Sequence, residues 1–199
     1  MSIMGKLELY IGPMFSGKST ELIKNVRLYK IINKKVLILK PNIDTRYDVN
    51  RIVSHNGEKE DCYIVDDLEK ITDNNISKYD IIIIDEGQFF KSLKKMCLLW
   101  VEKYNKHVII GGLDGDFQRN PIGELLDLIP YADKYQKLCA LCKYCNDGTK
   151  AIFSKRIMNN QDQVLIGGSE LYVAVCRYHY LNWFFNFKYF SLYFKYFCV

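Results

Sequence analysis

The 199-residue chain is poor in residues that break regular structure, with four prolines and 12 glycines, too few for a collagen-like or linker-like protein. It also lacks a strong charge of either sign. The 28 Lys+Arg against 23 Asp+Glu leave +5, which suits an anionic ligand but is too small and too scattered for a dedicated nucleic-acid binder. No repeat of roughly 20–50 residues is visible, which excludes solenoids and propellers. The start, Met1 to Lys6, has neither the basic residues nor the apolar core of a secretory leader. A fully paired disulfide framework is excluded because the seven cysteines are an odd number. Three of them, Cys139, Cys142 and Cys145, stand three apart, which points to metal binding in a reducing compartment. A cytoplasmic protein without membrane or nucleic-acid partners is therefore expected.

What is present is globular: 49% of residues are hydrophobic and 26% charged, enough for one domain with a small satellite. Short β-branched runs alternate with helical patterns over the first 130 or so residues. Strands are predicted at residues 7–11, 36–39, 63–65, 81–84 and 108–110, and helices at 16–32 and 92–104, with an acidic helix start at Asp66-Asp67. The run of four isoleucines from Ile81 to Ile84 is apolar on both faces, as in a central parallel strand covered on both sides. The repeating order implies an α/β fold with a mostly parallel sheet. After Pro130 the long helical patterns give way to cysteines and short apolar pieces. We therefore expect a P-loop α/β domain over residues 1–135, a metal-binding module over 136–180 and a separate tail over 181–199.

Gly12-Pro13-Met14-Phe15-Ser16-Gly17-Lys18-Ser19 follows a strand, precedes a helix and fits the phosphate-loop pattern in full. Glycines let the backbone N–H groups turn inward around a phosphate, and the helix start beneath adds its dipole. Lys18 is expected at the β- and γ-phosphates and Ser19 on Mg²⁺. The buried isoleucine run then leads into Asp85-Glu86. Asp85 suits the metal side of the phosphate loop. Glu86 suits a base that takes a proton either from water, making an ATPase, or from a bound hydroxyl, making a kinase.

Cys142-x₂-Cys145 and Cys176-x₂-His179 together offer four ligands to Zn²⁺, and a site with every position filled is structural rather than catalytic. Cys139-x₂-Cys142 is an equally regular knuckle, so spacing leaves the first pair open. Cys62, Cys97 and Cys198 have no paired spacing.

Taken together, these blocks resemble the zinc-containing, cytosolic type of thymidine kinase from about Gly5 to Tyr180. The resemblance rests on the phosphate loop with Thr20-Glu21-Leu22, Asp44-Thr45-Arg46-Tyr47, Asp85-Glu86-Gly87-Gln88-Phe89-Phe90 and Leu113-Asp114-Gly115. Phe117-Gln118-Arg119, Ser154-Lys155-Arg156, Gly167-Gly168, and Cys176 with His179 extend it. It implies a RecA-like P-loop domain with a zinc-ribbon-like lasso module. The implied reaction is transfer of the γ-phosphoryl group of ATP to the 5′-hydroxyl of thymidine, giving thymidine monophosphate for DNA precursor salvage. Glu86 would be the base. Gly12 to Thr20, Asp44, Arg46, Asp85 and Gln88 would serve ATP and its phosphates. Phe89, Leu113, Phe117, Tyr172, Gly167 and Gly168 would hold the nucleoside, partly through a lasso over about residues 151–175. Cys142, Cys145, Cys176 and His179 would be the zinc ligands. Members are commonly homotetramers.

The chain departs from the family pattern at Asp116, a carboxylate where a small or neutral residue is usual, and at Ile122, where Phe is common. Both raise the expectation of weaker substrate binding. The tail beyond Tyr180 is dense in Phe, Tyr and Trp but interrupted by Lys and Asn. It reads as a surface packed on the zinc module or a neighbouring subunit, with interfacial membrane contact as the alternative. Two competing functions are a RecA-like ATPase motor and a non-catalytic zinc module. A motor would carry a second lobe or a basic nucleic-acid track, and a passive module would have no use for Lys18, Asp85 and Glu86.

Overall fold

A computed structural model describes residues 4–44, 50–54 and 57–182. The first half of the chain forms β1 (Lys6–Ile11), α1 (Lys18–Ile31), β2 (Val36–Pro41), β3 (Arg51–Val53), β4 (Lys59–Asp61), β5 (Tyr63–Val65), α2 (Asp73–Ile76) and β6 (Ile81–Ile84). The second half forms α3 (Leu93–Leu98), β7 (His107–Gly112), β8 (Lys134–Lys137), β9 (Ala140–Leu141), β10 (Lys150–Ala151), β11 (Phe153–Arg156), β12 (Tyr172–Val175) and α4 (Arg177–Leu181). Six strands make one sheet in the order β5-β2-β6-β7-β1-β8, and every neighbouring pair is parallel.

Side chains alternate across that sheet, so each strand feeds two cores. On one face Leu7, Leu9, Leu37, Ile82, Ile84 and Val108 pack against Leu93, Cys97 and Trp100 around α3. On the other, Tyr10, Ile38, Ile81, Ile83 and Ile109 pack against Leu22, Ile23 and Val26 of α1. All four isoleucines of β6 are buried. Each contributes about 1.5–3 kcal/mol relative to an exposed side chain, which is why the most apolar run becomes a central strand.

Three predicted elements differ in form. The helix over 92–104 is α-helical only over α3 and continues as a wider π turn over Leu99–Lys103, with Trp100 fully buried. The expected acidic helix start is a single 3-10 turn, Leu68–Lys70, whose Glu69 N–H donates to the Asp67 carboxylate at 3.0 Å. α1 begins at Lys18 rather than Ser16, because Gly17 ahead of it is left-handed. Beyond β8 the chain forms two small antiparallel ladders, β9 with β10 and β11 with β12. They share a satellite core of Ala140, Ala151, Ala174, Val175 and two cysteines, Cys142 and Cys176. The aromatic tail from residue 183 and the segment holding Arg46 lie outside the described residues.

Candidate active site

β1 ends at Ile11, and the chain turns at once into the phosphate loop. A Cβ at Gly12 would come 2.5 Å from the Leu138 carbonyl oxygen, so nothing larger fits there. Gly17 takes φ 84°, a left-handed conformation that frees the first N–H groups of α1 to face outward. Lys18 is buried and curls back to donate to the Pro13 carbonyl at 2.7 Å, and the Ser16 hydroxyl donates to the same oxygen at 2.8 Å. A cavity opens over this loop, lined by residues 14–20 together with Lys40, Asp44, Val53, Asp85, Glu86 and Leu113. Gly12 and Pro13 shape the loop from behind and do not line the cavity. Across it Lys40 and Asp44, both nearly inaccessible, form an ion pair of 3.2 Å.

β6 delivers the two acids. The Ser19 hydroxyl donates to Asp85 Oδ2 at 3.2 Å, and Asp85 Oδ1 accepts the Glu86 N–H at 3.1 Å. Glu86 itself is left-handed, φ 51°, a costly conformation for a residue with a side chain and one that collects at functional turns. A 3-10 turn over Gly87–Phe89 follows. Gln88 is buried there; its amide nitrogen donates to Glu86 Oε2 at 2.6 Å while its oxygen accepts the Leu113 N–H at 3.0 Å. The end of β7 thus fixes the Glu86 carboxylate through Gln88.

A second, largely apolar cavity lies on the other side of that carboxylate. Its walls are Met14, Glu86, Phe89, Leu113, Gly115, Asp116, Phe117, Ile122, Ser154, residues 163–167 and Tyr172. Gly168 stands just outside, closing a turn: its N–H donates to Glu170 Oε1 and its carbonyl accepts the Tyr172 N–H. Ser154 Oγ accepts the Met14 N–H at 2.9 Å, tying the lasso hairpin to the phosphate loop. Met14, Glu86 and Leu113 are the residues common to both cavities.

The Asp116 departure takes a different meaning in this setting. Its buried carboxylate accepts the Gln118 and Asn120 N–H groups at 2.8 Å each and the Gln163 amide at 3.2 Å. Its acceptor sites are thus occupied by the turn at Gln118 and Asn120 and by Gln163 of the link between β11 and β12, while the residue also lines the apolar cavity. Ile122 is buried in the same wall and does not touch the phosphate side.

In the satellite, the ligand atoms of Cys142, Cys145, Cys176 and His179 all lie within 4.8 Å of one another. His179 Nδ1 is 3.3–3.5 Å from each of the three sulfurs. Three thiols and one imidazole converging on a point fit a tetrahedral Zn²⁺. Burial raises the Cys142 pKa, but N–H groups of Cys176, Cys145 and Tyr144 outweigh it and bring the thiol down to about 6. Cys139, the alternative from spacing, is exposed and outside the cluster.

These two cavities around one acid coincide with a family match: the description "Thymidine kinase" fits residues 5–180. The chain belongs to the thymidine kinase family. ATP-dependent phosphorylation of thymidine is the reaction of this family, a phosphotransfer. A thymidine kinase of Oryza sativa subsp. japonica is 38% identical over 186 residues, covering 91% of this chain and 68% of its own length. Thymidine kinase 1 of Dictyostelium discoideum is 41% identical over 182 residues, covering 88% and 77%. The thymidine kinase of Vaccinia virus (strain Western Reserve) is 40% identical over 182 residues, covering 89% and 98%. Among the described residues no helix is long and apolar enough to cross a membrane.

Sequence reasoning gave no role to Lys40 or Gln163, and it quoted Ser154 and Arg156 only within a block of the family resemblance, without a task at the site. Lys40 could have been suspected, since a lysine ending a buried strand has little reason to be there unless it is paired. The others act through a loop whose path no local pattern encodes.

Proposed function

We propose that this chain transfers the γ-phosphoryl group of ATP to the 5′-hydroxyl of thymidine, with Glu86 as the general base. The observation that carries this reading is the position of Glu86, a lining residue of both the phosphate cavity and the apolar cavity. A hydroxyl bound in the second cavity would meet a phosphoryl group bound in the first beside the one carboxylate. The N–H groups of residues 15–20 and Lys18 would cradle the phosphates, with Asp44 in the wall of that cavity; Arg46, outside the described residues, is assigned to the phosphates by the resemblance alone. Gln88 keeps the Glu86 carboxylate oriented. Phe89, Leu113, Phe117 and Tyr172 would enclose the nucleoside, with Gly167 in the wall and Gly168 in the turn behind it. Enclosure excludes water and so suppresses idle ATP hydrolysis.

Ser19 and Asp85, hard oxygen ligands 3.2 Å apart, fit a Mg²⁺ ion. These two residues would hold the ion, which would supply charge neutralisation to the bound phosphates. Cys142, Cys145, Cys176 and His179 would hold a structural Zn²⁺ that anchors the lasso module. The division at about residue 135 into a P-loop domain and this module is likewise our reading, as is a cytoplasmic location, for which the reduced cysteines argue. A homotetramer is favoured by exposed Leu28, Ile31 and Ile32 at the end of α1, an apolar stripe suited to a second subunit.

The test is product formation from ATP, Mg²⁺ and a panel of nucleosides. Thymidine is expected to yield its 5′-monophosphate, with ATP consumption dependent on thymidine. ATP hydrolysis indifferent to every nucleoside would instead favour a motor-type ATPase.

A further inference from the structure

The wall of the apolar cavity is built partly from the link between β11 and β12, which contains neither helix nor strand. Such a segment needs an internal scaffold, and Arg156 at the end of β11 supplies one. Its side chain is buried, 4% exposed. Nη1 donates to the carbonyls of Asn160 at 3.0 Å and Asp162 at 2.5 Å, and Nη2 to that of Gln163 at 3.3 Å. Nε and Nη2 both donate to the Tyr172 hydroxyl, at 3.2 and 2.7 Å. The guanidinium also stacks on Phe117, 3.9 Å from the ring centroid. All these acceptors are neutral. A buried cation held this way is expensive to desolvate and is not explained by a simple ion pair.

The Tyr172 hydroxyl completes the arrangement by donating to the Leu165 carbonyl at 2.7 Å. A phenol has one donor and two acceptor positions. Here all three are filled by protein, so only the ring of Tyr172 is available to a ligand. Resting on the nucleoside-kinase reading above, we propose that Arg156 is a positioning residue for the nucleoside. Its planar fork turns the carbonyls of Asn160, Asp162 and Gln163 inward, and the Tyr172 hydroxyl carries the same order to Leu165. The strip from Val164 to Gly167 is thereby presented to the cavity, opposite a Phe117 ring pinned on one face. Lysine offers a point charge and no fork, so it replaces only part of this.

The experiment compares wild type with R156M, R156K, Y172F and the double variant R156M/Y172F in steady-state kinetics. Zinc content and the ATP KM serve as checks on folding. R156M is expected to raise the thymidine KM about 10-fold or more, with kcat at saturating thymidine and the ATP KM changed by less than about 3-fold. R156K is expected to fall between R156M and wild type. Y172F is expected to shift the thymidine KM in the same direction, and the double variant to be no worse than R156M, because the two residues act through one network. An unchanged thymidine KM in both R156M and Y172F, or a fall in kcat with thymidine KM intact, would overturn the proposal. Wild-type protein that forms no thymidine monophosphate would overturn the underlying functional reading. Active wild type with unaltered variants would overturn the role of Arg156 alone.

Discussion

A carboxylate survives burial on a strand only when its neighbours replace water, and Glu8 on β1 does so with an unusual set. Lys6 donates to it at 2.6 Å, His107 Nε2 lies at 3.2 Å and Lys134 at 3.5 Å. Burial alone would raise the Glu8 pKa. The hydrogen bond from Lys6 and the charges of Lys6, His107 and Lys134 bring it below its ordinary value of 4.5. For His107, burial dominates and lowers the pKa below 6.5, against the pull of Glu8; Lys6 and Asp133 also bear on it. Both shifts are depressions. The unfolded chain therefore takes up protons first, and stability present at neutral pH is lost as pH falls, beginning below about 6.5 with the histidine and deepening in the carboxylate range. Because Tyr29 of α1 packs edge-on against the His107 ring at 5.3 Å, the helix that carries Lys18 and Ser19 is braced by this cluster. In H107Q the amide nitrogen takes the place of Nε2 and can still reach Glu8, but it does not titrate. The fall in Tm between about pH 7.5 and about pH 5.5 is expected to be smaller in H107Q than in wild type. An equal fall would remove His107 from the acid sensitivity.

Among the elements, those with strong apolar runs were legible in the sequence: β1, β2, β6 and β7 lie where the leucine, isoleucine and valine clusters predict them. β8 was not, because all four of its residues are exposed and it holds its place by pairing with β1 at the sheet edge. The β3–β4 hairpin was missed because each strand is only three residues long and β4, Lys-Glu-Asp, is wholly charged, although Ile52 of β3 is buried in the core. In the candidate site, the phosphate loop, Asp85, Glu86 and the cysteine–histidine set are written in short motifs that fix their own geometry. Lys40 and Arg156 are buried cations; Lys40 betrays this only by its place on an apolar strand, and no short-range pattern sets Arg156 apart from the solvated arginines around it. The lasso hairpin hangs between these worlds. β11 and β12 share their small core with the cysteines, and Ser154 ties them to Met14 of the phosphate loop. With so little apolar area, the hairpin is expected to depend on its metal. Metal analysis is expected to find one zinc per chain. Stripping it with a chelator should lower the Tm and abolish thymidine phosphorylation, with both restored by added zinc. A stripped protein with unchanged Tm and turnover would contradict a structural metal.

The whole molecule brings two sources of order together at one side chain. A parallel sheet sets Asp85 and Glu86 beside the phosphate loop, and a loop held by the satellite closes an apolar chamber over the same acid. In the proposed mechanism the first half would hold ATP and the second a flat base, and their meeting at Glu86, backed by Gln88, would turn proximity into directed transfer. Substitution of Glu86 by Gln keeps the shape and most of the contacts but removes the proton acceptor. The most direct measurement is therefore the kcat of E86Q for thymidine phosphorylation, taken together with its ATP affinity. A fall in kcat of about 100-fold or more, with ATP affinity little changed, is expected. Turnover equal to wild type would contradict Glu86 as the base and with it the mechanism drawn from the two cavities.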